Sequence, residues 1–278
     1  MGSPFNRSRA LTLHSMTPIL ILGAGRMGGA IAAGLAAAKA YAPDAFLLVD
    51  PHPGAEALDL AARGARLNPP LGELAQARTV VLAVKPQTWR EAAKLYAPHL
   101  RPDATLISIA AGVSCSDLAA AFTTQVIARV MPTTAVAISK GVASIWSASE
   151  IGRATAATLF RPLGRVVELP DERFMDAATA VSGSGPAYLY ALAEAMSAAG
   201  VAQGLAPDAA AELARATLIG AAALMEASPL SPAELRAQVT SPGGTTAAAL
   251  SVLQGEQGLP QLMTKAVAAA VARARDLG

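Results

Sequence analysis

Ser241-Pro242-Gly243-Gly244-Thr245-Thr246 sets a glycine pair and three hydroxyl side chains directly before the helix-forming run Ala247–Leu253. The start of a helix leaves its first backbone N–H groups without intrahelical partners. The helix dipole adds partial positive charge there, and glycine lets a ligand come close to the backbone. The chemistry suited to such a segment is capture of a small anion, a carboxylate above all. A plain turn with a helix cap fits the same residues, so the surroundings decide.

A second chemical segment is Gly23-Ala24-Gly25-Arg26-Met27-Gly28, a G-x-G-x-x-G turn placed after the apolar run Ile19–Leu22 and before a helical stretch. In a strand–turn–helix setting the first glycine makes the tight turn. The second admits a pyrophosphate to the backbone, and the third lets the helix lie close to the sheet. Twenty-two residues beyond Gly28, Asp50 ends the next apolar run. An acidic side chain there accepts from a ribose 2′-hydroxyl, which favours NAD over NADP, while His52 and nearby arginines leave room for a 2′-phosphate. Lys85-Pro86 and Ala110-Ala111-Gly112 directly follow the apolar runs Thr79–Val84 and Thr105–Ile109, at the strand ends where a dinucleotide crosses such a sheet. Met131-Pro132-Thr133-Thr134 is a further candidate wall.

These segments need a scaffold of alternating strands and helices. Strands are expected at Ile19–Leu22, Phe46–Val49, Thr79–Val84, Thr105–Ile109, Val126–Val130 and Arg165–Glu168, with helices at Met27–Ala40, Trp89–Tyr96 and Ser114–Ala121. After Asp171 the strand signals stop, and helices are expected at Ala187–Ala199, Pro207–Ala227, Pro232–Val239, Thr246–Leu253 and Leu259–Leu277. The fold class is therefore an α/β, Rossmann-type dinucleotide-binding domain over residues 17–170, followed by an all-α domain over 171–278. Residues 1–16 read as a disordered or cloning-derived tail, with Met16 a candidate natural start. The segment Pro207–Ala227 is apolar around much of its circumference, with Leu213, Ala214, Leu218, Ala221, Ala222 and Met225 expected to pack. A domain of this size buries such a helix most easily against a second copy, so a homodimer is expected.

Composition narrows the function classes. The chain has 278 residues, 53% of them hydrophobic, with 22 basic against 20 acidic side chains and a formal charge of +2. No basic run or basic-aromatic stripe suits a phosphate backbone, so nucleic acid is not an expected partner. The mean hydropathy of +0.40 comes largely from alanine, and no run of 18 strongly apolar residues predicts a membrane span. Cys115 is the single cysteine, and His14, His52 and His99 are scattered. A cytoplasmic protein without a metal site is the expectation.

From Pro18 onward the chain resembles the pyrroline-5-carboxylate reductases. The resemblance rests on Gly23–Gly28, Ala83-Val84-Lys85-Pro86, Ser108-Ile109-Ala110-Ala111-Gly112-Val113, Val181-Ser182-Gly183-Ser184-Gly185-Pro186-Ala187-Tyr188 and Ser241–Thr246. It implies hydride transfer from NADPH or NADH to the C=N bond of 1-pyrroline-5-carboxylate, giving L-proline. It also implies an interlocked helical dimer, sometimes assembled into decamers, with each site built from one nucleotide domain and the helices of the dimer. Gly23, Ala24, Gly25, Arg26, Met27, Gly28, Asp50, Ala83, Val84, Lys85, Pro86, Ile109, Ala110 and Ala111 would hold the cofactor. Ser241, Gly243, Gly244, Thr245 and Thr246 would hold the substrate carboxylate, with the Thr246 hydroxyl near the imine nitrogen as the catalytic group. The chain departs from the family at Thr133 and Ala135, where Met-Pro-Asn-Thr-Pro is usual, and in the loop Glu226–Pro232.

The residues bear on the substrate independently. Ketone reduction needs a proton donor where charge develops on oxygen. No histidine falls near Ser241–Thr246, and Ala187–Ala199 contains no lysine. A protonated cyclic imine needs orientation rather than a strong acid. Ser182-Gly183-Ser184-Gly185-Pro186 is a second candidate cradle or a close packing contact, and Tyr188 and Tyr190 are expected to pack. The alternatives are a related imine or β-hydroxyacid reductase and a non-catalytic dinucleotide-binding protein.

Overall fold

The computed structural model describes residues 16–124 and 126–276; of the tail expected over residues 1–16, all but Met16 lies outside them. Two compact units divide the chain, one holding the residues up to 183 together with those from 271 on, the other holding 184–270.

The first unit is built on eight strands. They are β1 Ile19–Leu22, β2 Phe46–Val49, β3 Arg66–Leu67, β4 Thr79–Leu82, β5 Thr105–Ser108, β6 Val126–Pro132, β7 Gly141–Trp146 and β8 Gly164–Glu168. The sheet order is β3-β2-β1-β4-β5-β6-β7-β8. All neighbours are parallel except β6 and β7, which pair antiparallel with Val130 opposite Ile145. The helices of this unit are α1 Arg26–Ala37, α2 Ala55–Ala62, α3 Trp89–Tyr96, α4 Cys115–Ala121, α5 Glu150–Phe160 and α6 Met175–Ala178.

Strands β1, β2, β4 and β5 are buried along their whole length because both faces of the sheet are covered. On one face Ile19, Ile21, Phe46, Leu48, Val81 and Ile107 pack with Ile31 and Leu35 of α1, Leu60 of α2, and Leu159 and Phe160 of α5. On the other, Leu20, Leu22, Leu47, Val80, Leu82 and Leu106 pack with Trp89 and Ala93 of α3 and Leu118 of α4. Met16 is buried in the first layer, where it accepts a 3.5 Å hydrogen bond on Sδ from the Tyr41 hydroxyl. It belongs to the core rather than to the tail in which the sequence placed it.

Strands β3 and β7 and helices α2 and α5 are additions to the sequence expectation. Strand β7 reverses on β6 through a 3₁₀ turn at Thr134–Ile138 and Ser139 in the left-handed region at φ 55°. The expected strand Thr79–Val84 stops at Leu82, and the expected helix start at Met27 moves to Arg26. The compact units part after Gly183 because α6 and the π-helical turn Thr179–Gly183 pack on β6 and β7.

The second unit contains α7 Gly185–Ala202, α8 Pro207–Ala227, α9 Pro232–Gln238, α10 Thr245–Leu253 and the larger part of α11 Leu259–Asp276. Helices α7 and α8 pack against each other. Ser231 opens α9 with a reciprocal cap, its Oγ accepting from Glu234 N–H while the Glu234 carboxylate accepts from Ser231 N–H at 2.7 Å. The expected burial along α8 is found at Ala214 and also at Ala210, whereas Leu213 and Met225 are more than half exposed at 55% and 51%. The apolar circumference is real, but this chain alone does not cover it.

Candidate functional site

The ends of β1, β2, β4 and β5 border a cleft of about 680 Å³ in the first unit. At its floor the chain leaves β1 through Gly23, whose N–H donates to Val49 O at 2.8 Å. Gly23 lies at φ +96°, and a Cβ there would come within 2.7 Å of the Ala83 carbonyl carbon and Val84 N, so no other residue fits. A Cβ on Gly28 would sit 2.1 Å from Gly23 O and 2.8 Å from Ile21 Cγ2. Gly25 differs: its missing Cβ would meet only Asp50 Oδ2, at 3.5 Å, so the backbone is open toward the cleft. Helix α1 starts directly after it, with Gly25 at the N-cap and no side-chain cap. The first intrahelical bond runs from Gly29 N–H to Gly25 O, which leaves the preceding amides for an anion.

Gly23, Gly25, Arg26, Met27, Asp50, Ala83, Val84, Lys85, Pro86, Ile109, Ala110 and Ala111 all line this one cleft. Ala24 and Gly28 do not. Ala24 is buried with its carbonyl accepting from Gly54 N–H, and Gly28 is spent on the contact between helix and turn. Val49, Pro51, Thr88 and Tyr96 join the lining without having been picked from the sequence. Only structure brings Tyr96 there, since it ends α3 well away in sequence from any glycine turn. These residues fit a nicotinamide dinucleotide. The glycine cradle would be filled by any Cβ at Gly23 or Gly28, the helix N-terminus suits the pyrophosphate, and a carboxylate stands at the end of β2.

Asp50 is held from three sides. Its N–H donates to Asn68 Oδ1 at 2.9 Å, its carbonyl accepts from Asn68 Nδ2 at 2.9 Å, and its Oδ1 accepts from His52 N–H at 2.7 Å. Asn68 sits in the left-handed region at φ 47°, which asparagine tolerates better than most residues.

The far wall of the cleft carries Met131 and Pro132. Thr133, the departure from the family pattern, is buried. Its N–H donates to Val142 O at 2.9 Å and its Oγ1 accepts from Val142 N–H at 3.0 Å. The hydroxyl therefore closes the β6–β7 ladder and is not offered to the cleft. Next to Met131, a Cβ on Gly183 would lie 3.6 Å from Met131 Cγ, which places the π-helical turn beside that wall. Ser182 Oγ donates back to Ala178 O and Thr179 Oγ1 to Met175 O, both at 2.8 Å. The Ser182 hydroxyl is thus used within the helix, which favours the packing reading of the Ser182–Pro186 segment.

One carboxylate braces two of the lining loops. Glu172 Oε1 accepts from Cys115 N–H at 2.8 Å, at the end of the loop that begins with Ile109, and from Arg129 Nη1 at 2.9 Å, on the strand that leads to Met131. Arg129 is almost fully buried, so the pair compensates a charge that could not stand alone. Burial first, then the Glu172 charge, pushes the Cys115 thiol up to about 12, which leaves it without nucleophilic character.

In the second unit, Gly243 adopts φ +70° and Gly244 is the N-cap of α10. Gly244 N–H donates to Ser241 O at 3.1 Å, and a Cβ on Gly244 would strike Ser241 Oγ at 2.5 Å. The first intrahelical bond of α10 runs from Ala248 N–H to Gly244 O. The amides of Thr245, Thr246 and Ala247 therefore head the helix, as an anion site requires. The structure thus brings Ser241, Gly243, Gly244, Thr245 and Thr246 into one turn. Among the described residues no group of three or more His, Cys, Asp or Glu side chains could hold a metal ion, and no helix is long and apolar enough to cross a membrane.

Residues 172–277 match the family model for pyrroline-5-carboxylate reductase dimerisation, and residues 18–112 match that for NADP oxidoreductase, coenzyme F420-dependent. A pyrroline-5-carboxylate reductase from Pseudomonas aeruginosa is 36% identical over 272 residues, 93% of this chain and 96% of that protein. One from Synechocystis is 38% identical over 263 residues, covering 93% and 97%. Among solved structures, a pyrroline-5-carboxylate reductase from Coxiella burnetii superposes with a TM-score of 0.86 at 29% identity, covering 95% of this chain and 99% of that one. The pyrroline carboxylate reductase of Plasmodium falciparum with NADP bound gives 0.79 at 27% identity, covering 94% and 98%.

Proposed function

The chain belongs to the pyrroline-5-carboxylate reductase family, and from that premise we infer that it reduces the C=N bond of 1-pyrroline-5-carboxylate with NADPH or NADH, giving L-proline in the last step of proline biosynthesis. The observation that carries this reading is the convergence of twelve of the fourteen expected cofactor residues on one cleft at the ends of β1, β2, β4 and β5. A reduced nicotinamide, when bound, supplies the hydride. The protein's own share is to hold and orient. Gly23 and Gly28 fix the turn, Gly25 and the first amides of α1 take the pyrophosphate, and Asp50 faces the adenosine ribose. Ile109, Ala110, Ala111, Met131 and Pro132 form the wall toward the nicotinamide.

The Ser241–Thr246 turn holds the substrate carboxylate on the amides that head α10, and the Thr246 hydroxyl is the hydrogen-bond partner of the imine nitrogen. The substrate enters protonated at nitrogen. Hydride adds to the ring carbon of the C=N bond, the π electron pair moves to nitrogen, and the product amine keeps the proton it already had. No general acid is consumed, in keeping with a site region that presents hydroxyls and backbone amides rather than histidine. The protein is a homo-oligomer. Its unit is taken to be a dimer, formed through the helical half, that works in the cytoplasm without nucleic acid or membrane partners.

Thr246→Ala tests the assignment. Loss of one oriented hydrogen bond lowers kcat by about ten- to a hundredfold. Nucleotide affinity is unchanged. An unaltered kcat removes Thr246 from the mechanism.

A further inference from the structure

We propose that the cleft is selective for NADH over NADPH, with the carboxylates of Asp50 and Glu56 together excluding a 2′-phosphate. The inference rests on the reading that this cleft takes a nicotinamide dinucleotide, and it chooses between two cofactors that the reading leaves open.

Asp50 follows β2 directly, and Asn68 and His52 N–H fix its backbone and its Oδ1. The remaining oxygen, Oδ2, lies 3.5 Å from the Cβ position of Gly25. Glu56 stands in the first turn of α2. Its Oε2 is 3.4 Å from the Cβ position of Gly54 and 3.7 Å from that of Gly29. The Gly54 Cβ position is itself 3.5 Å from the carbonyl carbon and oxygen of Gly25. Two carboxylates thus flank the same glycine turn. Among the described residues neither is in an ion pair.

No lysine or arginine occurs from Phe46 through Ala62 to neutralise them. The basic side chains on the cleft are Arg26 in the glycine turn, Lys85 at the end of β4 and His52, the one imidazole beside Asp50. A ribose 2′-hydroxyl donates to a carboxylate such as Asp50. A 2′-phosphate has no proton to donate when ionised, and it brings close to two negative charges toward two more.

The test is titration of the full-length protein with NADH and with NADPH, followed calorimetrically, beside the Asp50→Asn/Glu56→Gln double variant. That variant keeps the Oδ1 acceptor for His52 N–H while removing both charges. NADH is expected to bind at least about tenfold more tightly than NADPH, with the gap in the double variant shrinking to about threefold or less. Equal or tighter binding of NADPH by the unaltered protein overturns the inference alone, and so does a preference that persists in the double variant. Binding of neither dinucleotide overturns the cleft reading as well.

Discussion

Asn68 and Asp50 exchange two hydrogen bonds of 2.9 Å, one into and one out of the Asp50 backbone, and so fix the point where β2 opens into the cleft. The side chain of one residue replaces the ladder partner that β2 lacks beyond its short pairing with β3. Asn68→Ala removes both bonds and puts alanine at φ 47°. It is expected to cost about 1–3 kcal/mol of stability, measured by denaturant unfolding, and to weaken dinucleotide binding in the same sample.

Gly28→Ala tests the approach of α1 to the turn. The new methyl would lie 2.1 Å from Gly23 O, a backbone atom that cannot rotate away. Helix and turn must separate, and overpacking of this kind costs about 1–3 kcal/mol. The expected outcome is a folded protein with a lower melting temperature and a large loss of dinucleotide affinity. Retained affinity would mean that the turn tolerates displacement.

Burial first, and then the neighbouring Glu172 charge, raise the Cys115 pKa to about 12 against a smaller lowering by Arg129. The raised value keeps the thiol protonated at every pH where the enzyme can be assayed, and thiolate accumulates only as pH climbs toward about 12. Labelling by a thiolate-specific reagent at pH 8 should therefore be far slower than for free cysteine, and rapid only after unfolding. Fast labelling of the native protein would contradict the raised pKa of this half-buried thiol.

The glycine turn was legible from sequence because its glycines have separate tasks: Gly23 and Gly28 stand where a Cβ would strike the backbone, and Gly25 leaves the backbone open to the cleft. The central strands were legible because burial on both faces leaves unbroken runs such as Ile19–Leu22. Strand β7 was not, since Gly141–Trp146 mixes small and polar residues and pairs antiparallel, a link that no crossover pattern announces. Helix α2 escaped because half of its eight residues are alanine and only Ala57 and Leu60 are buried. Nor does composition reveal which partner covers an apolar helix: Ala214 packs within the chain, while Leu213 beside it does not. Tyr96 and Asn68 reach the cleft region only through tertiary structure.

Leu224 on α8 is 68% exposed within the chain, in the segment that matches the dimerisation family. Leu224→Lys should cost the isolated subunit little, since exposed substitutions usually stay within about 0.5 kcal/mol. It should nevertheless shift the assembly toward monomer, read as a concentration-dependent mass in sedimentation. An unchanged mass at micromolar concentration would place Leu224 outside the interface.

The most direct measurement is a steady-state assay of 1-pyrroline-5-carboxylate reduction with NADH and, separately, with NADPH, following nicotinamide oxidation and proline formation together. Stoichiometric proline formation with at least one cofactor is the predicted result. Tight dinucleotide binding with no proline formed from either cofactor would contradict the account.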